Sequence, residues 1–166
     1  MQTEPLKSKL TVTSTEFRDG GAIPLRYSAR GEDVSPSFSI DNISPCAKSI
    51  AIIMDDMSHP IFGIGNHWVI WNIPIQNMIP EGIPHGAFVS TLNGAVQGVG
   101  YGRHRYKGPK PPLQSTHTYQ FNVYTLDCML ELSSSAKKKE LLACMEGHIL
   151  QRAILSGTFQ TNRGSL

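Results

Sequence analysis

Three short stretches gather the side chains of this chain that could do chemistry. Residues 54–60, Met-Asp-Asp-Met-Ser-His-Pro, set two carboxylates, a hydroxyl and an imidazole side by side. His67 opens the apolar run His67-Trp68-Val69-Ile70-Trp71-Asn72-Ile73, eleven positions beyond Asp56. Gly108-Pro109-Lys110-Pro111-Pro112 leads into His117 and Tyr119. Capture of a phosphate-like anion needs hydrogen-bond donors and local positive charge in a concave, partly dry place. His67 and His117 supply donors, and a carboxylate such as Asp56 beside them favours their protonated form. Glycine at 108 lets backbone N–H groups come close, and the prolines stiffen the loops around such a site.

The same residues are weaker candidates for other chemistry. Neighbours on a strand point to opposite faces, so Asp55 and Asp56 do not form an acid–base pair. Asp56 and His67 imitate part of a nucleophilic triad. The nearby hydroxyl, Ser58, lacks the glycine-flanked turn that activates such a nucleophile. A small-substrate hydrolase using Asp56 and His67 is therefore the second reading, and an interaction protein with a vestigial cavity is the third. His67, His117 and Asp56 lack the close spacing of a metal motif, and neither metal nor cofactor is expected. Gly98-Val99-Gly100-Tyr101-Gly102 has no strand–helix frame around it, which argues against a dinucleotide loop. The basic run from Arg103 to Lys107 reads as a solvated loop or as a collar steering anions towards Gly108. Without a recognition helix or stacking platform it does not suggest nucleic acid.

Strands must position these groups. Leu10 to Thr13 alternates and is followed by the turn signal Asp19-Gly20-Gly21. Ser49 to Met54 is a β-branched run of the kind buried on both faces, and His67 to Ile73 is a second, closed by Pro74. Asp56 and His67 would then sit at a strand end and a strand start. Tyr119 to Tyr124 alternates cleanly. Ala136 to Glu146 carries helix formers, with Ser133 to Ser135 as candidate caps and Gly147 as the terminator. Ile149 to Phe159 reads as a last strand, and residues 75–108 as long loops. The expectation is a mainly β fold, one domain over residues 1–166.

Composition bounds the class. With 40% hydrophobic and 17% charged residues, the 166-residue chain has the make-up of one soluble globular domain. Its net charge of +2 is too small to imply a polyanionic partner. Three widely spaced cysteines fit a reducing compartment, and no apolar leader or membrane-length run is visible, so a cytoplasmic protein without a transmembrane segment is expected.

Taken in order, the motifs resemble the phosphatidylethanolamine-binding protein family, in its bacterial and archaeal Raf-kinase-inhibitor-like branch. Asp19-Gly20 with Ile23-Pro24, and Ser35-Pro36, resemble its early segments. MDDMSHP followed by HWVIWNIP resembles its first signature, DPDAP then HWVxxNIP. GPKPP followed by THTYQFNVYTLD resembles its second, and Gly147-His148-Ile149 with Gly157-Thr158-Phe159 its carboxy-terminal pattern. The resemblance implies a β-sandwich-like fold with a large central sheet, a smaller sheet and a small anion-binding cavity. That cavity would be lined by Asp56, His67, Gly108, Pro109, His117 and Tyr119. It also implies a phosphate or phospholipid head-group ligand, a kinase or protease as possible protein partner, and a homodimer. Met57, Ser58 and His59 depart from DPDAP, so the second acid of the signature is a serine here. A serine hydroxyl could donate to a phosphate oxygen, where a second carboxylate would repel it.

Overall fold

Ile50, Ile52 and Met54 are apolar, and so are Ala51 and Ile53 between them, so the strand that carries them needs cover on both faces. In the computed structural model, which describes residues 9–162, that cover is a small sheet on one face and a helix on the other. The elements in chain order are β1 (Thr11–Thr13), β2 (Gly21–Ala22), β3 (Phe38–Asp41), β4 (Ser49–His59), β5 (Gly63–Ile73) and β6 (Met78–Ile79). They continue with β7 (Phe88–Val89), β8 (Ala95–Gln97), β9 (Thr116–Leu126), α1 (Lys138–Met145) and β10 (Ile149–Gln160). The large sheet has the order β2-β10-β9-β4-β5-β8-β7, and the small one β1-β3-β6.

The two sheets enclose the main core, in which Ile50, Ile52 and Met54 of β4 meet Phe38 and Ile40 of β3, with Phe121 and Val123 of β9. Ala51 and Ile53 face the other way, onto Leu141 and Met145 of α1. The mainly β, two-sheet architecture agrees with the expectation from the sequence. Both long apolar runs prove longer than their hydrophobic stretches: β4 extends through Asp55 and Asp56 to His59, and β5 starts at Gly63. A short turn joins them, so Asp56 and His67 lie inside one hairpin rather than across a loop.

The helix starts two residues later than the sequence suggests. Ser133 to Ser135 do not cap it; the Ser133 hydroxyl accepts from the Ser135 N–H, and its carbonyl accepts from the Ala136 N–H. Glu140 in the first turn instead takes the Lys137 N–H at 3.2 Å, which favours a carboxylate there for the helix dipole as well. Gly147 ends the helix at φ 82°, a conformation glycine adopts freely. Residues 75–108 contain the short strands β6, β7 and β8 rather than loop alone.

Candidate functional site

Alternation along β4 puts Asp56 on the same face as Ile50, Ile52 and Met54, and Asp55 on the helix face. The contacts follow that division. Asp55 receives the Lys138 ammonium of α1 at 2.7 Å and the Asn66 amide at 3.1 Å. Asp56 lies opposite Tyr119 on β9, whose residues Phe121 and Val123 continue the same face. His117, two positions earlier on β9, reaches Asp56, and its Nδ1–H donates to Oδ2 at 2.7 Å.

His67 arrives by a different device. Met54 pairs with Trp68, but Asp55 pairs with Asn66, so His67 is an extra residue in the β4–β5 ladder. A bulge of this kind turns the inserted side chain towards the face of its neighbour. His67 thereby joins Trp68 on the main-core side, while Asn66 is turned to Asp55. The His67 Nδ1–H donates to the Lys107 carbonyl at 2.8 Å. Its ring stands edge-on to Tyr119, with centroids 5.3 Å apart, and edge-on to Tyr101 at 4.9 Å.

These groups surround one pocket of about 210 Å³ at the end of the central strands. Asp56, His67, His117 and Tyr119 all line it, as the sequence suggested, and all four are buried. Gly108 and Pro109 do not. The Gly108 N–H is committed to Asp33 Oδ1 at 2.7 Å, and the Pro109 carbonyl accepts from the Ala29 N–H at 2.9 Å. Both shape the loop from behind: a Cβ on Gly108 would stand 2.2 Å from the Tyr27 carbonyl oxygen. The second signature instead contributes Lys110, Pro111 and Pro112 to the lining, and the basic run before it contributes Lys107.

Tyr101, Lys107 and Lys110 come from the irregular loop, where residue spacing does not tell direction. The single legible signal was the basic run itself. His59 and Pro60 also reach the pocket. The His59 Nδ1 accepts the N–H groups of Ile61 and Phe62 at 3.3 and 3.1 Å, which folds the hairpin tip back, and the His59–Pro60 bond is trans. His104 and His148 lie elsewhere, on the Gln97 carbonyl and the Asp127 carboxylate respectively.

Ser58 is outside the pocket. Its hydroxyl accepts the Thr118 N–H at 3.0 Å, replacing a backbone acceptor just where the β4–β9 ladder stops. The donor-to-phosphate role considered for it does not match this placement. Ser58→Ala should cost about 0.5–1.5 kcal/mol of stability, the worth of one ordinary hydrogen bond. Its phosphate affinity should stay within about twofold of wild type, and urea unfolding with calorimetric titration measures both.

Electrostatically the pocket is an acceptor-bound pair of imidazoles with ammonium groups at its rim. Both Nδ1 atoms face oxygens that only accept, so both carry a proton and each Nε2 is the atom left for a ligand. Burial lowers the His67 pKa, partly opposed by its bond to the Lys107 carbonyl and by the Asp56 charge. Burial likewise raises the Tyr119 phenol, which stays a neutral donor. Lys107 is lowered by burial and then by Lys110. The lining contains no serine, threonine or cysteine. Among the described residues, metal-ligating side chains come within reach of a shared ion at Asp127, Cys128 and His148, away from this pocket.

The fold and site define a class: a β-sandwich whose central strands end in a histidine-lined pocket. The model of the phosphatidylethanolamine-binding protein family matches residues 13–160, and the chain belongs to that family. It is 41% identical over 154 residues to a UPF0098 protein of Pyrococcus abyssi, covering 92% of this chain and 86% of the relative. It is 36% identical over 157 residues to a UPF0098 protein of Chlamydia muridarum, covering 91% and 99%. Among solved structures, a phosphatidylethanolamine-binding protein homolog of Chlamydia trachomatis superposes with a TM-score of 0.81 at 32% identity, covering 92% of this chain and 98% of that one. These relatives place the chain in the bacterial and archaeal branch.

Proposed function

We propose that the chain is a binding module for a small phosphate-like anion, held between His67 and His117. The observation that carries this is the tethering of both Nδ1 atoms, to the Lys107 carbonyl and the Asp56 carboxylate, which fixes two buried rings beside one cavity. Fixed donors avoid the entropy of ordering flexible ones on binding. Lys107 and Lys110 at the rim add charge that draws an anion in.

A phosphate monoester, free or as a lipid head group, has the matching chemistry. Catalysis fits the same pocket less well, because Asp56 pairs with His117 rather than His67, and the Ser58 hydroxyl is held by the sheet. Control of a kinase or protease would work through the pocket rim, where Ile61 and Phe62 are 78% and 77% exposed on the hairpin tip. No helix among the described residues is long and apolar enough to cross a membrane. Cys46, Cys128 and Cys144 are all free thiols, which suits a reducing compartment.

The test is a calorimetric titration of inorganic phosphate into wild type, His67→Ala and His117→Ala, with hydrolysis of a chromogenic phosphate ester followed beside it. Each variant should bind about tenfold or more weakly, since one charge-assisted hydrogen bond is worth roughly 1.5–3 kcal/mol. Unchanged affinity in both variants would overturn the site, and turnover abolished by His67→Ala would overturn the non-enzymatic reading.

A further inference from the structure

Next to the histidine pocket lies a second cavity, of about 300 Å³, bounded by Arg103, Arg105, Lys107, Lys110, Asp33 and Tyr101. Lys107, Lys110 and Tyr101 border both cavities. Four cations thus surround a space that contains one carboxylate, and that carboxylate is occupied. Asp33 Oδ1 accepts the Gly108 N–H at 2.7 Å, and Oδ2 pairs with Arg105 at 3.3 Å. Among the described residues, Arg103, Lys107 and Lys110 have no carboxylate partner.

Gathering like charges around a hollow is unfavourable without a counter-ion, and the Lys107 pKa is lowered by burial first and then by Lys110, with Asp33 opposing and Arg105 and Arg103 adding smaller effects. Contacts fix the backbone that carries Arg103 and the side chains of Lys107 and Arg105. Gly100 and Arg103 exchange both backbone hydrogen bonds at 3.1 Å across a two-residue turn, Tyr101-Gly102, with φ of 50° and 72°. Gly100 packs so closely on the His67 backbone that a Cβ would lie 3.2 Å from its carbonyl. The Lys107 ammonium rests 3.8 Å above the centre of the Tyr101 ring.

We infer that this second cavity is an anion subsite continuous with the first, so that the preferred ligand is a small molecule bearing two anionic groups on a short linker. The inference rests on the proposed anion site at His67 and His117. Spacing sets the linker: the Tyr101 ring is 4.9 Å from the His67 ring and 3.8 Å from the Lys107 ammonium, so a few atoms bridge the two positions. A bisphosphate places one group between the imidazoles and the other among Arg103, Lys107 and Lys110. Tethering makes the second contact intramolecular, which raises affinity without a new site elsewhere. A loop that only steered anions would favour the more highly charged ligand through its general field, and neighbouring cations would then matter as much as Arg103 does.

The experiment compares propane-1,3-diyl bisphosphate with propyl phosphate by calorimetry on the full chain, at fixed pH and salt. The bisphosphate should bind roughly tenfold or more tightly. Arg103→Gln should remove most of that advantage and change propyl phosphate affinity less than about twofold, whereas His67→Ala should weaken both ligands. Lys139→Gln, a cation on the neighbouring groove, controls for the general field and should do neither. Equal affinity for the two ligands in wild type overturns the subsite, as does an equal effect of Arg103→Gln and Lys139→Gln. Bisphosphate binding that survives His67→Ala but not Arg103→Gln would keep the second subsite and overturn the histidine site. Binding of neither ligand would overturn both.

Discussion

Sulfate affinity should fall about tenfold for each pH unit above the pKa of His67, because one proton must be taken up when the anion binds. Sulfate keeps its charge across the range in which histidine titrates, so the slope belongs to the protein. The His67 pKa is held below the ordinary 6.5 by burial, and the empty site is therefore neutral at that ring near pH 7. With Nδ1–H donated to the Lys107 carbonyl, a neutral His67 presents a lone pair at Nε2 and repels an anion. Only the imidazolium presents N–H there. Binding consequently raises the His67 pKa, and two buffers of different ionisation enthalpy should show the proton uptake calorimetrically.

The sign for stability runs the other way. Without an anion the native state holds the His67 proton less tightly than the unfolded chain, so this residue lowers stability as pH falls below about 6.5. Sulfate should offset that loss. In His67→Gln the binding slope should flatten and the acid loss from this residue should disappear. A wild-type affinity that is level between pH 5.5 and 7.5 would refute the assignment of His67 as the donor.

Gly108→Ala should destabilise the protein by about 2–4 kcal/mol, within the range of severe single substitutions. The new Cβ would meet the Tyr27 carbonyl oxygen at 2.2 Å and the Asp33 carboxylate at 2.9 Å, and the Tyr27 contact is backbone that cannot swing aside. Relief by moving the loop would break the Gly108–Asp33 bond and loosen Asp33 from Arg105. It would also shift Lys107, whose carbonyl orients His67. Phosphate affinity should therefore fall in this variant although residue 108 touches no ligand. Urea unfolding and titration on the same sample check the two effects. A stable Gly108→Ala protein with wild-type affinity would show that the loop adjusts freely.

The strands that carry the pocket were legible because burial on both faces leaves a mark in the sequence. Ser49 to Met54 and His67 to Ile73 read as buried strands for that reason, and alternation alone separated Asp55 from Asp56. His117 and Tyr119 were marked by their place in the second signature, and the phase of β9 sets both on the face that Asp56 shares. The signature around Gly108 records that a loop is needed and not which side of it faces the cavity, so it does not show that Gly108 and Pro109 sit behind the lining. Tyr101, Lys107 and Lys110 were illegible as lining residues since residues 98–112 follow no fixed period. The start of α1 is not legible because three serines offer caps equally well to a helix or to the turn before it.

The extra residue in the β4–β5 ladder makes the pocket a matter of phase as well as of composition. Removing one residue from that stretch would restore even alternation and swing His67 to the helix side, beside Asp55 and Lys138. Every residue type of both signatures could remain in such a chain, and its motifs would still match. The two imidazoles would then stand on opposite faces of the sheet with no space in common. The register of β5 against β4 around Met54 and Asp55, rather than the letters of the two signatures, thus decides whether such a chain keeps the pocket.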